Sequence, residues 1–336
     1  MGIRSSIFNS NKAPRALILF LALAVVFEIG VVHWNCGPDY RWRKQLVRKT
    51  PIEADALFLG DSSSIRGVDT ALFEKMTGRS VFVFGAMRKL GLLSYYLLLL
   101  DYLNHHPTPR TLVLMLLPIT WDVEVGNHYW HEFDNYFHGD PLLFHALGEA
   151  GLRPDLLFRY FVLSRLPTMA RRPYLKDMVF ADRRALFKAE NAKLRTQGKQ
   201  IIEKGKGALL VEATSPAFLC RINKKEVFGI SRESRVFLRK ILDKARAYGI
   251  DVYYVSAPVA RECLADWQVK DLDETNRRIQ QEFPEMRPLQ PELLLYPKDS
   301  FSDTGGHLKR SEAVRLTTGL AEALERSAAQ KIRQKS

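Results

Sequence analysis

Four short apolar runs separated by helical patterns constrain the fold of this chain more than any other feature. Asp55–Gly60 (DALFLG), Ser80–Gly85 (SVFVFG), Arg110–Pro118 (RTLVLMLLP) and Ile250–Pro258 (IDVYYVSAP) are nearly continuous in apolar character and end on glycine or proline. Strands buried on both faces read this way, because every side chain meets a covering layer whichever way it points. Between them lie amphipathic Thr70–Gly78, the mostly apolar Leu90–His106 and amphipathic Glu233–Gly249, with Gly78 and Gly249 as helix stops. A last helix spans roughly His307 to Leu324. This alternation predicts a three-layer α/β/α domain on a mostly parallel sheet. With 336 residues, 46% of them apolar and 26% charged, the chain can bury such a core. Disordered, collagen-like and disulfide-framework classes are excluded.

Sites of parallel α/β sheets form where strands end at their carboxyl edge. The first run ends in Gly60-Asp61-Ser62, the second in Gly85, and Phe301–His307 (FSDTGGH) precedes the last helix. A serine on a strand-to-helix turn exposes its hydroxyl while its own N–H faces a developing oxyanion. A histidine can take the hydroxyl proton, and an acid beside it fixes the imidazole tautomer. Ser62, His307 and Asp303 fit these three roles, and Gly85 fits as a second oxyanion donor. Taken singly, Gly-Asp-Ser is a common turn and an acid before a helix is a common cap. Their order along the chain favours the joint reading.

LFLGDSSSIRG, VFGAMRKLG and FSDTGGHLKRSEAVRLTTGLAEAL resemble the first, second and last blocks of the SGNH/GDSL hydrolases. The resemblance covers about residues 52–125 and 230–328. It implies Ser62 as nucleophile, Gly85 as oxyanion donor, and His307 with Asp303 as base and acid. An N-terminal apolar segment and an insertion before the fourth strand further resemble the membrane-tethered branch. That branch includes the teichoic-acid D-alanylation protein and the alginate acetylation proteins. It implies an esterase or O-acyltransferase acting on an exopolysaccharide or other cell-envelope polymer, with no cofactor. The chain departs from the family at two places. Three residues separate Asp303 from His307 where the family has two, and the Gly-x-Asn-Asp block is replaced by Pro118-Ile119-Thr120-Trp121-Asp122. Thr120 is the candidate substitute for the missing oxyanion donor.

Residues 121–230 form an insertion with helical character. Trp121–Asp140 concentrates aromatic, His and acidic residues. One reading is a substrate rim whose aromatic faces stack on sugar rings; Asp61, Trp121, Asp122, His128 and Trp130 are its candidates. Another is a metal site of His128, His131, Asp134 and His138. A third is an ordinary packed loop, and no metal is assigned. Further on, fourteen basic and five acidic residues lie between Arg153 and Lys206, a large part of the net charge of +13. Such a tract forms a solvated helix face or meets anionic lipid or polysaccharide. Nucleic acid is excluded as the partner, because no recognised binding motif accompanies the charge.

Ala16–Trp34 is the strongest apolar run and is just long enough to span a bilayer, with Glu28 near one end. A cleaved signal peptide is the alternative, but no small-x-small site follows the run. The reading adopted is a cytoplasmic tail (1–15), an inner-membrane anchor (16–34), a linker (35–50), the α/β domain (51–328) and a frayed basic tail (329–336). Arg41, Arg43, Lys44, Arg48 and Lys49 favour a cytoplasmic body by the positive-inside rule, whereas the resemblance implies a periplasmic one. Cys36, Cys220 and Cys263 have no zinc spacing; Cys220 and Cys263 are either a disulfide or two buried thiols. Besides an acyl-ester enzyme, two other classes fit. One is an inactive tethered relative that binds glycan or assists a membrane-bound O-acyltransferase; the other is a basic membrane-surface protein without a triad.

Overall fold

The computed structural model describes residues 17–26, 41–87, 90–123, 136–137, 140–149, 184–212, 218, 220, 222, 227–290, 292–303 and 306–335. The four predicted strands are β1 (Ala56–Gly60), β2 (Val81–Gly85), β3 (Thr111–Leu116) and β4 (Asp251–Ser256). Three short strands were not anticipated: β5 (Val259–Ala260), β6 (Arg287–Pro288) and β7 (Leu295–Tyr296). The main sheet has the order β2-β1-β3-β4-β6, with every neighbouring pair parallel, and β5 pairs with β7 alongside it. The helices with defined bounds are α1 (Arg41–Lys49), α2 (Ser62–Gly67), α3 (Thr70–Thr77), α4 (Gly91–His105), α5 (Pro141–Glu149), α6 (Arg184–Glu203), α7 (Arg232–Ala247), α8 (Asp266–Glu282) and α9 (Arg310–Lys335).

Side chains alternate across a strand, so each central strand feeds two cores. Leu57, Leu59, Leu112, Leu114 and Tyr254 pack with Tyr96 of α4 and Phe237 of α7 on one face. Ala56, Phe58, Val113, Met115 and Tyr253 pack with Phe73 of α3 and Leu316 of α9 on the other. Phe58 and Phe73 meet edge to face, with ring centroids 5.3 Å apart. This is the predicted three-layer arrangement. Helix α4 is apolar on nearly all sides because α1, α5 and α7 cover what the sheet does not.

Two expectations are corrected. The segment read as a linker contains helix α1, which is tied to the body: Lys44 is buried in an ion pair with Asp140, and Arg48 donates to Asp101 at 2.7 Å. The last helix does not fray after Leu324 but continues to Lys335, where Lys331 meets Asp251 at 2.6 Å. Residues 17–26 are helical, but among the described residues no helix is long and apolar enough to cross a membrane. The rest of the proposed span, 16 and 27–34, lies outside the described residues, as do the N-terminal tail and residues 153–183 of the basic tract.

The insertion is helical in α5 and α6, and its return segment straps the sheet edge. Val83 N–H of β2 donates to Lys206 C=O (2.9 Å), Leu209 N–H to Ile65 C=O of α2 (2.7 Å), and Arg310 N–H of α9 to Val211 C=O (3.0 Å). Cys220 and Cys263 form a disulfide that staples the insertion to the segment after β5.

Candidate active site

The chain leaves β1 for β2 on one side and later crosses to β3 on the other, so the sheet order reverses between β1 and β3. A crevice opens at the carboxyl ends of strands at such a point. Gly60, the last residue of β1, has to be glycine because a Cβ there would lie 2.0 Å from Met115 C=O of β3. Asp61 follows and caps α2, its Oδ1 accepting from Ser63 N–H at 2.8 Å. Its Oδ2 accepts from Leu117 N–H at 2.8 Å and from the Thr120 hydroxyl at 3.2 Å. One buried carboxylate thus joins the ends of β1 and β3 and fixes where α2 begins.

Ser62 is the first residue of α2 and is half-buried. Its hydroxyl donates to His307 Nε2 at 2.8 Å, and His307 Nδ1–H donates to Asp303 Oδ1 at 2.7 Å; these partners assign the tautomer. The three residues singled out from the sequence therefore converge, although 245 positions separate Ser62 from His307. The longer acid-to-histidine spacing is taken up by a pinned loop. Phe301 and Leu308 form an antiparallel bridge, Lys309 N–H donates to Ser300 C=O (2.9 Å), and Ser302 N–H and hydroxyl both donate to His307 C=O (2.7 and 3.1 Å). Both ends of the loop are held, and Thr304 and Gly305, between Asp303 and His307, fall outside the described residues.

Burial pushes the His307 imidazole below its ordinary value. The Arg66 guanidinium pushes in the same direction, while Asp303 and Asp61 oppose both. The ring is therefore neutral near pH 7 and has an Nε2 lone pair free to take the Ser62 proton.

The oxyanion and rim candidates fare differently. Thr120 is fully buried and its hydroxyl is spent on Asp61, so it is a structural donor and not an oxyanion donor. Gly85 pairs with Gly60, and the neighbouring Ala86 N–H donates to Gly60 C=O. Strand alternation then turns Gly85 N–H to the outer side of β2, the side where Val83 N–H meets Lys206. The reason for glycine here is packing: a Cβ would lie 2.6 Å from the Ile65 side chain and 3.0 Å from Asp61 C=O. Among the described residues no acceptor meets Ser62 N–H, a free amide at the start of a helix. Asp61 and Trp121 are not rim residues. Asp61 is inaccessible and Trp121 is 3% exposed, packed in the α4-side core. Asp122 is exposed. His128 and Trp130 lie outside the described residues, as do His131, Asp134 and His138 of the metal reading.

Two participants were missed. Ser302 holds the loop, and Arg66 places Nη1 3.8 Å from Asp303 Oδ2. The spacing Ser62 to Arg66, one helical turn, was a signal for the second. Comparisons with protein-family models, with curated proteins and with solved structures find no match for this chain.

Proposed function

We propose that the chain is a serine-dependent acyl-ester enzyme of the SGNH/GDSL type, an esterase or O-acyltransferase acting on an acylated envelope glycan or polymer. The observation that carries this reading is the unbroken hydrogen-bonded relay Ser62–His307–Asp303 at the β1/β3 switch point. Ser62 Oγ attacks the acyl carbonyl as its proton passes to His307 Nε2. Asp303 stabilises the imidazolium, and Ser62 N–H donates to the oxyanion. Collapse expels the alcohol, which takes the proton back from His307 and leaves an acyl-serine. Water then completes hydrolysis, or a sugar hydroxyl completes transfer, again deprotonated by His307.

We further assign the body to the extracytoplasmic side of an inner membrane, anchored through the N-terminal apolar segment. In residues 17–26, Leu17, Ile18, Leu19, Phe20, Leu21, Leu23, Val25 and Val26 are each more than half exposed, which suits a lipid surround. The positive-inside count runs the other way, although Lys44 and Arg48 are paired within the folded body. The Cys220–Cys263 disulfide also suits an oxidising compartment.

A second reading is an inactive tethered module that binds glycan or assists a membrane-bound O-acyltransferase. It is favoured by one observation: of the three anticipated oxyanion donors, Thr120 is engaged elsewhere and Gly85 N–H turns away. A fluorophosphonate probe with an acetyl-ester reporter separates the two. Labelling and turnover that vanish in Ser62→Ala support the enzyme; no labelling of the folded wild type supports the module.

A further inference from the structure

Arg66 lies one helical turn after Ser62, on the same face of α2. Its guanidinium approaches Asp303 Oδ2 at 3.8 Å, while Oδ1 of that carboxylate accepts from His307 Nδ1–H at 2.7 Å. The carboxylate therefore sits between imidazole and guanidinium, one oxygen turned to each. Asp303 also departs from what fixes a buried catalytic acid. Its side chain is 32% exposed, and it comes from a loop one residue longer than the family pattern. Among the described residues, Arg66 and Asp61, from α2 and its cap, face His307, and Arg66 faces Asp303, whose Oδ1 also accepts from the Ser302 hydroxyl at 3.5 Å.

We propose that Arg66 is a positioning residue of the triad, holding the partly exposed Asp303 carboxylate against His307 from the side away from the imidazole. The inference rests on the Ser–His–Asp reading above. Both side chains are partly open to water, so the ion pair adds little to global stability. The effect of removing it belongs to chemistry, not unfolding.

The test uses the full chain with Arg66→Met, Arg66→Lys, Asp303→Asn and the Arg66→Met/Asp303→Asn pair. Arg66→Met is expected to lower kcat on an acetyl-ester reporter on the order of ten- to hundredfold, with KM and Tm close to wild type. Arg66→Lys restores most of the loss, and Arg66→Met has no further effect in the Asp303→Asn background. A second readout needs no turnover. The far-downfield Nδ1 proton of His307 in NMR persists in wild type and Arg66→Lys and is lost in Arg66→Met. Additive losses in the double variant would overturn the proposal, as would a rise in KM alone or an Nδ1 proton indifferent to Arg66. Should the wild type show the proton pattern without any turnover, the positioning role stands and the acyl-ester reading fails.

Discussion

Replacing Asp61 by Asn probes the joint on which the site is built. The carboxylate accepts three hydrogen bonds away from water, from Ser63 N–H, Leu117 N–H and the Thr120 hydroxyl, at 2.8, 2.8 and 3.2 Å. Asn keeps one acceptor oxygen and puts an NH2 where the other oxygen stood. With the oxygen turned to Leu117 and Thr120, the NH2 faces the Ser63 N–H. The cap bond is lost, about 1 kcal/mol, and two donors are left opposed out of water, a further ~1–3 kcal/mol. The opposite rotamer forfeits two bonds and costs more. The variant should therefore lose about 2–4 kcal/mol, read as a lower urea midpoint at unchanged slope. Ser62→Ala, next in the chain but half-exposed, should stay within about 0.5 kcal/mol and serves as the control. An Asp61→Asn midpoint equal to that of the control would refute the three-bond joint and, with it, the explanation of where Ser62 stands.

Three further outcomes follow from the geometry. The imidazole must be neutral to accept the Ser62 proton, and burial first, then Arg66, disfavour the imidazolium. The acid limb of kcat/KM should therefore fall below the ordinary imidazole value, with activity lost as pH drops through it; a limb above that value would contradict the site electrostatics. The disulfide joins residues 43 apart, so reduction or Cys220→Ser should remove at most roughly 4 kcal/mol of stability by loop entropy. Because Phe218 packs against Phe301 at the foot of the catalytic loop, at 6.4 Å between centroids, reporter turnover should drop as well. A midpoint insensitive to reductant would argue against the bridge. Finally, the full chain expressed in a Gram-negative host should sediment with membranes and require detergent for release, and removal of residues 1–34 should free it. Carbonate extraction of the full chain without detergent would sink the anchor.

How much of this was legible in the sequence depends on the length of chain over which each feature is decided. Strands β1–β4 are local: each is a short apolar run bounded by glycine, proline or polar residues, and burial on both faces needs no distant information to predict. Ser62, Asp303 and His307 were legible for a similar reason, since each sits at a strand end or before a helix start. The roles of Asp61, Thr120 and Trp121 were not. The Asp61–Thr120 bond spans 59 positions, and it turns two residues read as site lining into structural ones. Helix α8 was missed because its buried positions are mostly polar, with Gln268, Thr275 and Asn276 beside only Leu272 and Ile279. An apolar period that thin gives no stripe. Helix α1 was hidden likewise, its charges having partners 96 and 53 residues away, at Asp140 and Asp101. Gly85 was singled out correctly as a position requiring glycine, but for the wrong reason, because the Ile65 contact that demands it exists only after α2 folds back onto β2.

The most direct measurement is the site of phosphonylation in the purified full-length protein, followed by peptide mapping and by the same reaction in Ser62→Ala and His307→Gln. Stoichiometric modification confined to Ser62, absent from the first variant and strongly slowed in the second, is the expected result. A folded wild type that stays unmodified, or that is modified equally well without His307, would mean that the relay carries no nucleophile.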